Sequence, residues 1–203
     1  MAGRVLLLML ITSVALAANH GEIFRDLDKH LKSKISKHTQ YGMLYICGKN
    51  VQYLPSEDRE KLKEVESYNK GKNILMYPIK RMQDDVFSNY FITQQQYLKS
   101  KKDGHVNHTE EILTKVVAPS MVNWMDSKNM NTDVIFLYTY LYPCEYCYDH
   151  IELFVKNWKQ DIILGYTNET KLIETVKQKL ESLKQSHTHF SIIRVDEIIH
   201  DEL

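Results

Sequence analysis

Hydrophobic residues recur at helical spacing near the start of the chain and in continuous blocks further on. Over 21–38 an apolar residue returns every fourth position between charged residues, which predicts an amphipathic helix. Its apolar positions are Ile23, Leu27, Leu31 and Ile35. The run 41–47 is almost entirely apolar or aromatic and ends at a Gly-Lys-Asn turn, so it predicts a buried strand. Residues 73–79 predict a second strand, antiparallel to the first.

The second half of the chain alternates strand and helix patterns. A helix is predicted to begin near Thr109 and to end or bend at Pro119. The run 134–142 is rich in β-branched and aromatic residues and predicts a central strand. Predicted helices at 145–158 and 169–185 then alternate with strands at 161–166 and 189–195. A helix between the last two strands makes a crossover, so these strands should be parallel. The order predicts an α/β domain, a five-stranded mixed sheet within three α/β/α layers.

Composition narrows the class of protein. A chain of 203 residues with 26 basic and 26 acidic side chains suits one domain and excludes collagen-like and disordered chains. The zero net charge gives no support to a general nucleic-acid binder, and it favours a solvated loop for the basic stretch 99–102. Three cysteines are too few for a disulfide scaffold. The function must therefore depend on a local site.

Both ends of the chain carry targeting patterns. Residues 1–17 place Arg4 before an apolar run and a small-x-small cleavage site, as in a signal peptide. The apolar run is too short to anchor the chain stably in a membrane. Residues 200–203, His-Asp-Glu-Leu, match the retrieval signal of the endoplasmic reticulum. We expect a single domain over 18–199 in the lumen of that compartment, with secretion by escape, and a retrieval receptor as partner.

Candidate chemistry lies where the predicted central strand joins the helix that follows it. The sequence there is Pro143-Cys144-Glu145-Tyr146-Cys147. Cysteines three positions apart on a first helical turn face the same side, and the helix N-terminus favours their thiolates. Thiolates at this spacing are typical of a zinc site or of a redox pair, and the pattern alone leaves both open.

A zinc site with two thiolates needs a further ligand, for which histidine is the usual residue. Histidine followed two positions later by glutamate occurs four times, at His20, His108, His150 and His200. Only the one at His108, with Glu110, begins a separate predicted helix upstream of the central strand, so it can meet the cysteines at one edge of the sheet. His150 shares the helix of the cysteines and is interpreted as a solvated or core-edge residue.

His108-x-Glu110 followed by Pro143-Cys144-x-x-Cys147 resembles the zinc-dependent nucleobase deaminase superfamily. The parallel last strand and the signal peptide make the secreted AID/APOBEC-like deaminases the most similar group. The resemblance implies a cytidine-deaminase-like fold and one zinc ion per chain, bound by His108, Cys144 and Cys147. It implies that Glu110 is the catalytic acid and base, and that the substrate is cytosine rather than adenine, in a nucleoside or single-stranded nucleic acid.

The residues just before Pro143 differ from those of that group, which has a tryptophan and a serine at these positions. Tyr142 takes the last of these positions and is a candidate for stacking on the substrate base, with packing in the core as the alternative. Glycosylation sequons begin at Asn107 and Asn168. A glycan on Asn107 conflicts with a buried metal pocket, so we predict that Asn168 is modified and Asn107 is not.

Two other functions use the same residues. Cys144 and Cys147 also fit a thioredoxin-like disulfide oxidoreductase of the endoplasmic reticulum. That class places a cis-proline well downstream of its redox pair, and no proline follows Pro143 in this chain. A catalytically inactive, zinc-stabilised binding protein is the third hypothesis, and Glu110 argues against it because the metal does not need this residue. Cys47 is predicted to be a buried strand residue.

Overall fold

The computed structural model describes nine parts of the chain. They are 20–29, 41–49, 51, 53–56, 67–70, 73–76, 90–95, 108–169 and 174–195. The strands before 96, apart from the first, are described by their backbone alone. The predicted signal peptide, the basic stretch, Asn107 and the retrieval signal lie outside these residues.

One mixed sheet organises the described residues. Its strands are β1 (Tyr41–Cys47), β2 (Ser67–Lys70), β3 (Asn73–Met76), β4 (Tyr90–Gln95), β5 (Val134–Leu141), β6 (Asp161–Asn168) and β7 (Phe190–Arg194). They lie in the order β2-β3-β4-β1-β5-β6-β7. β1 is antiparallel to both β4 and β5, whereas β5, β6 and β7 run parallel. The α/β class, the mixed sheet and the parallel last two strands are confirmed.

The predicted count of five strands is not confirmed, because the described part of the chain contributes seven. The sequence analysis missed β2 and β4. β4 lies between β1 and β3 and is antiparallel to both. The predicted pairing of β3 with β1 is therefore wrong, and these two strands run in the same direction.

Helices cover both faces of this sheet. A helical segment at 20–29 (α1) lies on one face. On the other face lie α2, which has three consecutive segments, and two further helices. The bounds are Thr109–Ile112, Leu113–Val117 and Ala118–Ser127 for α2, Glu145–Asn157 for α3 and Glu174–Ser186 for α4. None of the helices in the described ranges has the length and apolar character needed to cross a bilayer.

Pro119 changes the register of α2 rather than ending it. The backbone N–H of Ala118 donates to the carbonyl of Leu113, five residues back, within a π-helical turn. Proline has no N–H to donate and its ring displaces the carbonyl four residues earlier, so a wider turn just before it accommodates the helix. The chain then continues as a regular helix to Ser127.

The side chains of β5 alternate between the two faces, as strand geometry requires. Ile135 and Leu137 pack under α2, α3 and α4, whereas Phe136 and Tyr138 pack under α1. The next residue along β5, Thr139, is buried and continues this alternation toward the face of α2 and α3. The polar side chain of Thr139 therefore lies in the layer between β5 and the first turns of α2 and α3.

A buried carboxylate in α1 forms hydrogen bonds with residues of the sheet. Asp28 accepts hydrogen bonds from the hydroxyls of Tyr41 and Tyr138, the latter over 3.0 Å. The Tyr138 hydroxyl also lies 2.8 Å from Oγ1 of Thr167 in β6. Burial raises the pKa of both tyrosines above the ordinary value, so both stay protonated as donors.

We expect Asp28→Ala to lower the free energy of unfolding by about 1–3 kcal/mol, because it leaves two buried tyrosine hydroxyls without their shared acceptor. Urea unfolding monitored by circular dichroism measures this change. The exposed Lys29, next in the same helix, provides the control variant Lys29→Ala. A loss for Asp28→Ala no larger than that of the control would contradict a structural role for the Asp28 hydrogen bonds.

Candidate metal centre

Two helix starts meet at one edge of the sheet. His108 is the extended residue immediately before α2, and Cys144 is the extended residue immediately before α3. α3 follows β5 after a short connection, so Cys144 lies at the carboxyl end of that strand. Because α2 and α3 pack on the same face, their first turns converge there. The meeting of these two helix starts agrees with the sequence prediction.

His108, Cys144 and Cys147 lie together at this edge. Nδ1 of His108 is 3.6 Å from Sγ of Cys144 and 3.2 Å from Sγ of Cys147, and the two sulfurs are 3.3 Å apart. Tetrahedral zinc, with bonds of about 2.3 Å to sulfur and about 2.0–2.1 Å to nitrogen, spaces such ligand atoms about 3.5–3.8 Å apart. Small side-chain movements suffice to reach that spacing. The three residues can hold a metal ion, and two sulfurs with one imidazole suit zinc.

The two sulfurs differ in charge when no ion is bound. The hydrogen bond with Cys147, and then that with His108, lowers the pKa of Cys144 to about 4. The same bond between the sulfurs, together with burial, raises the pKa of Cys147, and the bond to Cys144 raises the pKa of His108. At neutral pH the pair therefore holds a thiolate beside a thiol. A metal ion that binds both sulfurs displaces the thiol proton.

Glu110 lies beside this triad and is fully buried. It follows His108 by two residues, in the first turn of α2. Thr139 Oγ1 lies 2.8 Å from Oε1 of Glu110, and Thr109 Oγ1 lies 2.9 Å from Oε2. Among the described residues the metal-binding group consists of the histidine and the two cysteines. The carboxylate is thus held next to a metal site without belonging to the ligand set.

Gly42 in β1 allows the first turn of α2 to approach the sheet. A Cβ atom at this position would lie 3.0 Å from Cδ1 of Leu113 and 3.1 Å from Cβ and Oγ1 of Thr109. These distances are shorter than ordinary van der Waals contacts, so any larger residue pushes against α2. The absence of a side chain at Gly42 therefore helps to set the position of Thr109 and, one residue on, of Glu110.

The comparison with known proteins assigns no family. No family model matches this chain, and no curated protein is significantly similar to it. The function is therefore inferred from the arrangement of His108, Glu110, Cys144 and Cys147, and from the order of the elements that carry them.

Tyr142, the predicted stacking residue, lies in the core. Its side chain is 5% exposed, and its ring meets the ring of Tyr166 edge-on at 4.6 Å between centroids. This burial favours the packing alternative for Tyr142 over stacking on a substrate base.

Tyr146, between the two cysteines, is an exposed aromatic residue that the sequence analysis passed over. Its side chain is 40% exposed, and its ring lies 5.2 Å from that of His108. Its hydroxyl donates to Oε2 of Glu111 over 2.9 Å. The sequence offered one signal that Tyr146 lies at the metal site, namely its position inside the Cys-x-x-Cys motif.

The other histidines in the described part of the chain are not members of this group. His150 packs edge-on against Tyr146, with Nε2 3.8 Å from Oε1 of Glu111, which fits the core-edge interpretation. His20 packs against Phe136 on the opposite face of the sheet. Cys47 is a buried residue of β1, as predicted.

Asn168, the predicted glycosylation site, is the last residue of β6 and is half-buried. Its carbonyl accepts a 2.7 Å hydrogen bond from the backbone N–H of Tyr142, so it lies at the same edge as the metal site. We expect glycopeptide mass spectrometry of protein expressed in animal cells to find a glycan on Asn168 and none on Asn107. Full occupancy of Asn107, next to His108, would contradict the buried metal pocket.

Proposed function

We propose that the protein is a zinc-dependent hydrolytic deaminase of a nucleobase, with a cytidine-deaminase-like fold and cytosine rather than adenine as its base. One observation carries this proposal: a histidine and two cysteines converge beside a buried glutamate that is not one of the ligands. A nucleoside or a single-stranded nucleic acid is the substrate class. The two terminal patterns support a place of action in the lumen of the endoplasmic reticulum, with secretion by escape, and a retrieval receptor as partner.

The ligand set suits an open metal site. Among the described residues, three supply positions of the tetrahedron, namely His108, Cys144 and Cys147, and the fourth position is left for water. Bound zinc supplies Lewis acidity, which lowers the pKa of water at that position to about 7. Structural zinc sites usually have four protein ligands, so a three-residue set favours catalysis.

Glu110 moves the protons in this reaction. Deamination adds the oxygen of water to C4 of cytosine, breaks the bond between C4 and the exocyclic nitrogen, and releases ammonia. Glu110 accepts a proton from the water and delivers protons to the ring nitrogen and then to the departing ammonia. Its two hydrogen bonds to threonine keep the carboxylate oriented for these transfers.

The burial of Glu110 argues against a purely structural zinc site. Moving a carboxylate out of water costs several kcal/mol, and hydrogen bonds offset only part of that cost. A protein in which zinc only stabilised the fold would be more stable with an apolar residue at this position. A buried glutamate outside the ligand set therefore favours an enzyme over the inactive binding protein.

A disulfide oxidoreductase is the second candidate, because one observation favours it. Cys144 is half-buried with a pKa of about 4, and its sulfur lies 3.3 Å from that of Cys147. A low-pKa thiolate next to a second thiol is typical of redox pairs. In this function His108 supports the Cys144 thiolate. Glu110 has no role in it, so the deaminase accounts for more of the site.

A turnover screen tests the proposed function. Zinc-loaded protein is incubated with cytidine, deoxycytidine, adenosine and single-stranded oligonucleotides, and the release of ammonia and the product masses are measured. We expect conversion of a cytosine-containing substrate that Glu110→Gln removes. A zinc-loaded protein with no Glu110-dependent turnover of any of these compounds would favour the binding protein.

A further inference from the structure

Thr139 has an unusual position for a polar residue. It is fully buried near the end of β5, a strand otherwise made of apolar and aromatic side chains. Its Oγ1 lies 2.8 Å from Oε1 of Glu110 and also 2.8 Å from the carbonyl oxygen of Leu141. A hydroxyl has one proton and donates to one acceptor at a time. The local backbone carbonyl competes with Glu110 for this donor.

Glu110 is held from two different elements. Thr109, its neighbour in α2, bonds Oε2, whereas Thr139 reaches Oε1 from the sheet. Gly42 in β1 leaves the room in which Thr109 packs. The bond from Thr139 joins residues 29 positions apart, so it fixes the carboxylate of α2 relative to the strand that leads to Cys144.

We propose that Thr139 is a positioning residue for Glu110. This inference rests on the proposed function, since it assigns Thr139 the task of orienting the proton-transferring carboxylate beside the metal. The strand sets the position of the hydroxyl. When the hydroxyl donates to Oε1 rather than to the Leu141 carbonyl, it orients the carboxylate of Glu110. Without this bond Glu110 loses the contact with the sheet that orients Oε1.

The test compares Thr139→Val, which keeps the shape and removes the hydroxyl, with Thr139→Ser, which keeps the hydroxyl. We expect Thr139→Val to lower kcat about 10- to 100-fold with KM within about twofold, since misplacement of a catalytic group by about 1 Å has effects of this size. Thr139→Ser should restore most of kcat. The matched control is Thr114→Val, because the buried Thr114 hydroxyl donates to the backbone carbonyl of Glu110 rather than to its carboxylate.

A second measurement uses metal binding without turnover. We expect the visible absorption bands of the Co²⁺-loaded protein to shift in Thr139→Val, because the released carboxylate changes its contact with the open coordination position. Thr139→Val should cause no shift when it is added to Glu110→Ala, since Thr139 acts through Glu110. If Thr139 only stabilised the fold, Thr139→Val would shift the bands equally in the wild type and in Glu110→Ala.

The outcomes separate this inference from the proposed function. A wild-type protein that binds neither Co²⁺ nor Zn²⁺ would overturn both. Metal binding and Glu110-dependent turnover in the wild type, with Thr139→Val equal to the wild type in kcat and spectrum, would overturn the role of Thr139 alone. A spectral shift that depends on Glu110 would support it.

Discussion

Glu110→Gln is expected to abolish deamination and to leave about one zinc ion per chain. The amide has nearly the shape of the carboxylate, but it cannot accept a proton from water, and general acid–base catalysis contributes about 10²- to 10⁴-fold to such rates. His108, Cys144 and Cys147 are unchanged in this variant, so metal binding should persist. Initial rates of ammonia release and elemental mass spectrometry of the same preparation measure both quantities.

The next residue provides the matched control for this variant. Glu111 is a partly exposed carboxylate that bonds Lys115 and Tyr146. Glu111→Gln removes one negative charge from the same helical turn, and we expect its rate to stay within about threefold of the wild type, the size of a surface electrostatic effect. Equal rates for the wild type and Glu110→Gln would exclude Glu110 as the proton-transfer residue.

Cys147→Ser is expected to lose bound zinc and, with it, stability. Cys147 is fully buried in the first turn of α3, with its sulfur 3.2 Å from Nδ1 of His108. A hydroxyl at this position is a poor ligand, and two remaining ligands bind zinc weakly. Since a metal present at about 100 times its dissociation constant stabilises a protein by about 2.7 kcal/mol, the wild type should unfold at a higher temperature than this variant. Chelation of the wild type should remove most of that difference.

Cys47→Ser is the control for Cys147→Ser. Cys47 is equally a buried cysteine, but it lies in β1 on the face covered by α1, away from the metal site. This variant should retain about one zinc ion per chain. It should lose only the contribution of one buried thiol to the stability of the protein. Equal zinc contents in the two cysteine variants would show that the metal does not bind at Cys147.

The elements with continuous apolar runs could be predicted from the sequence. β1, β5 and β6 are buried on both faces between helices, and burial on both faces makes a strand almost wholly apolar. β2 could not be predicted, because its sequence Ser-Tyr-Asn-Lys is polar and its strand structure depends on backbone pairing with β3. β4 ends in Thr-Gln-Gln and has no clear alternation, so its place between β1 and β3 depends on tertiary pairing.

The metal triad could be predicted because local geometry determines most of it. Three-residue spacing puts both cysteines on one helical turn, and the order of elements brings the start of α2 to the same edge. The surroundings of Glu110 could not be predicted, because the bond from Thr139 joins residues far apart in the sequence. Tyr142 was a candidate for stacking because it takes the position before Pro-Cys in the deaminase pattern, with core packing as the alternative. The direction of its side chain could not be predicted, because the alternation of strand faces ends with β5 at Leu141.

The most direct test of the metal centre is the zinc content of the purified wild-type protein, measured by elemental mass spectrometry under non-reducing conditions together with alkylation of its thiols. We predict about one zinc ion per chain, with Cys144 and Cys147 protected from alkylation until a chelator is added. A metal-free protein in which Cys144 and Cys147 form a reducible disulfide would contradict the metal centre and make disulfide exchange the leading function.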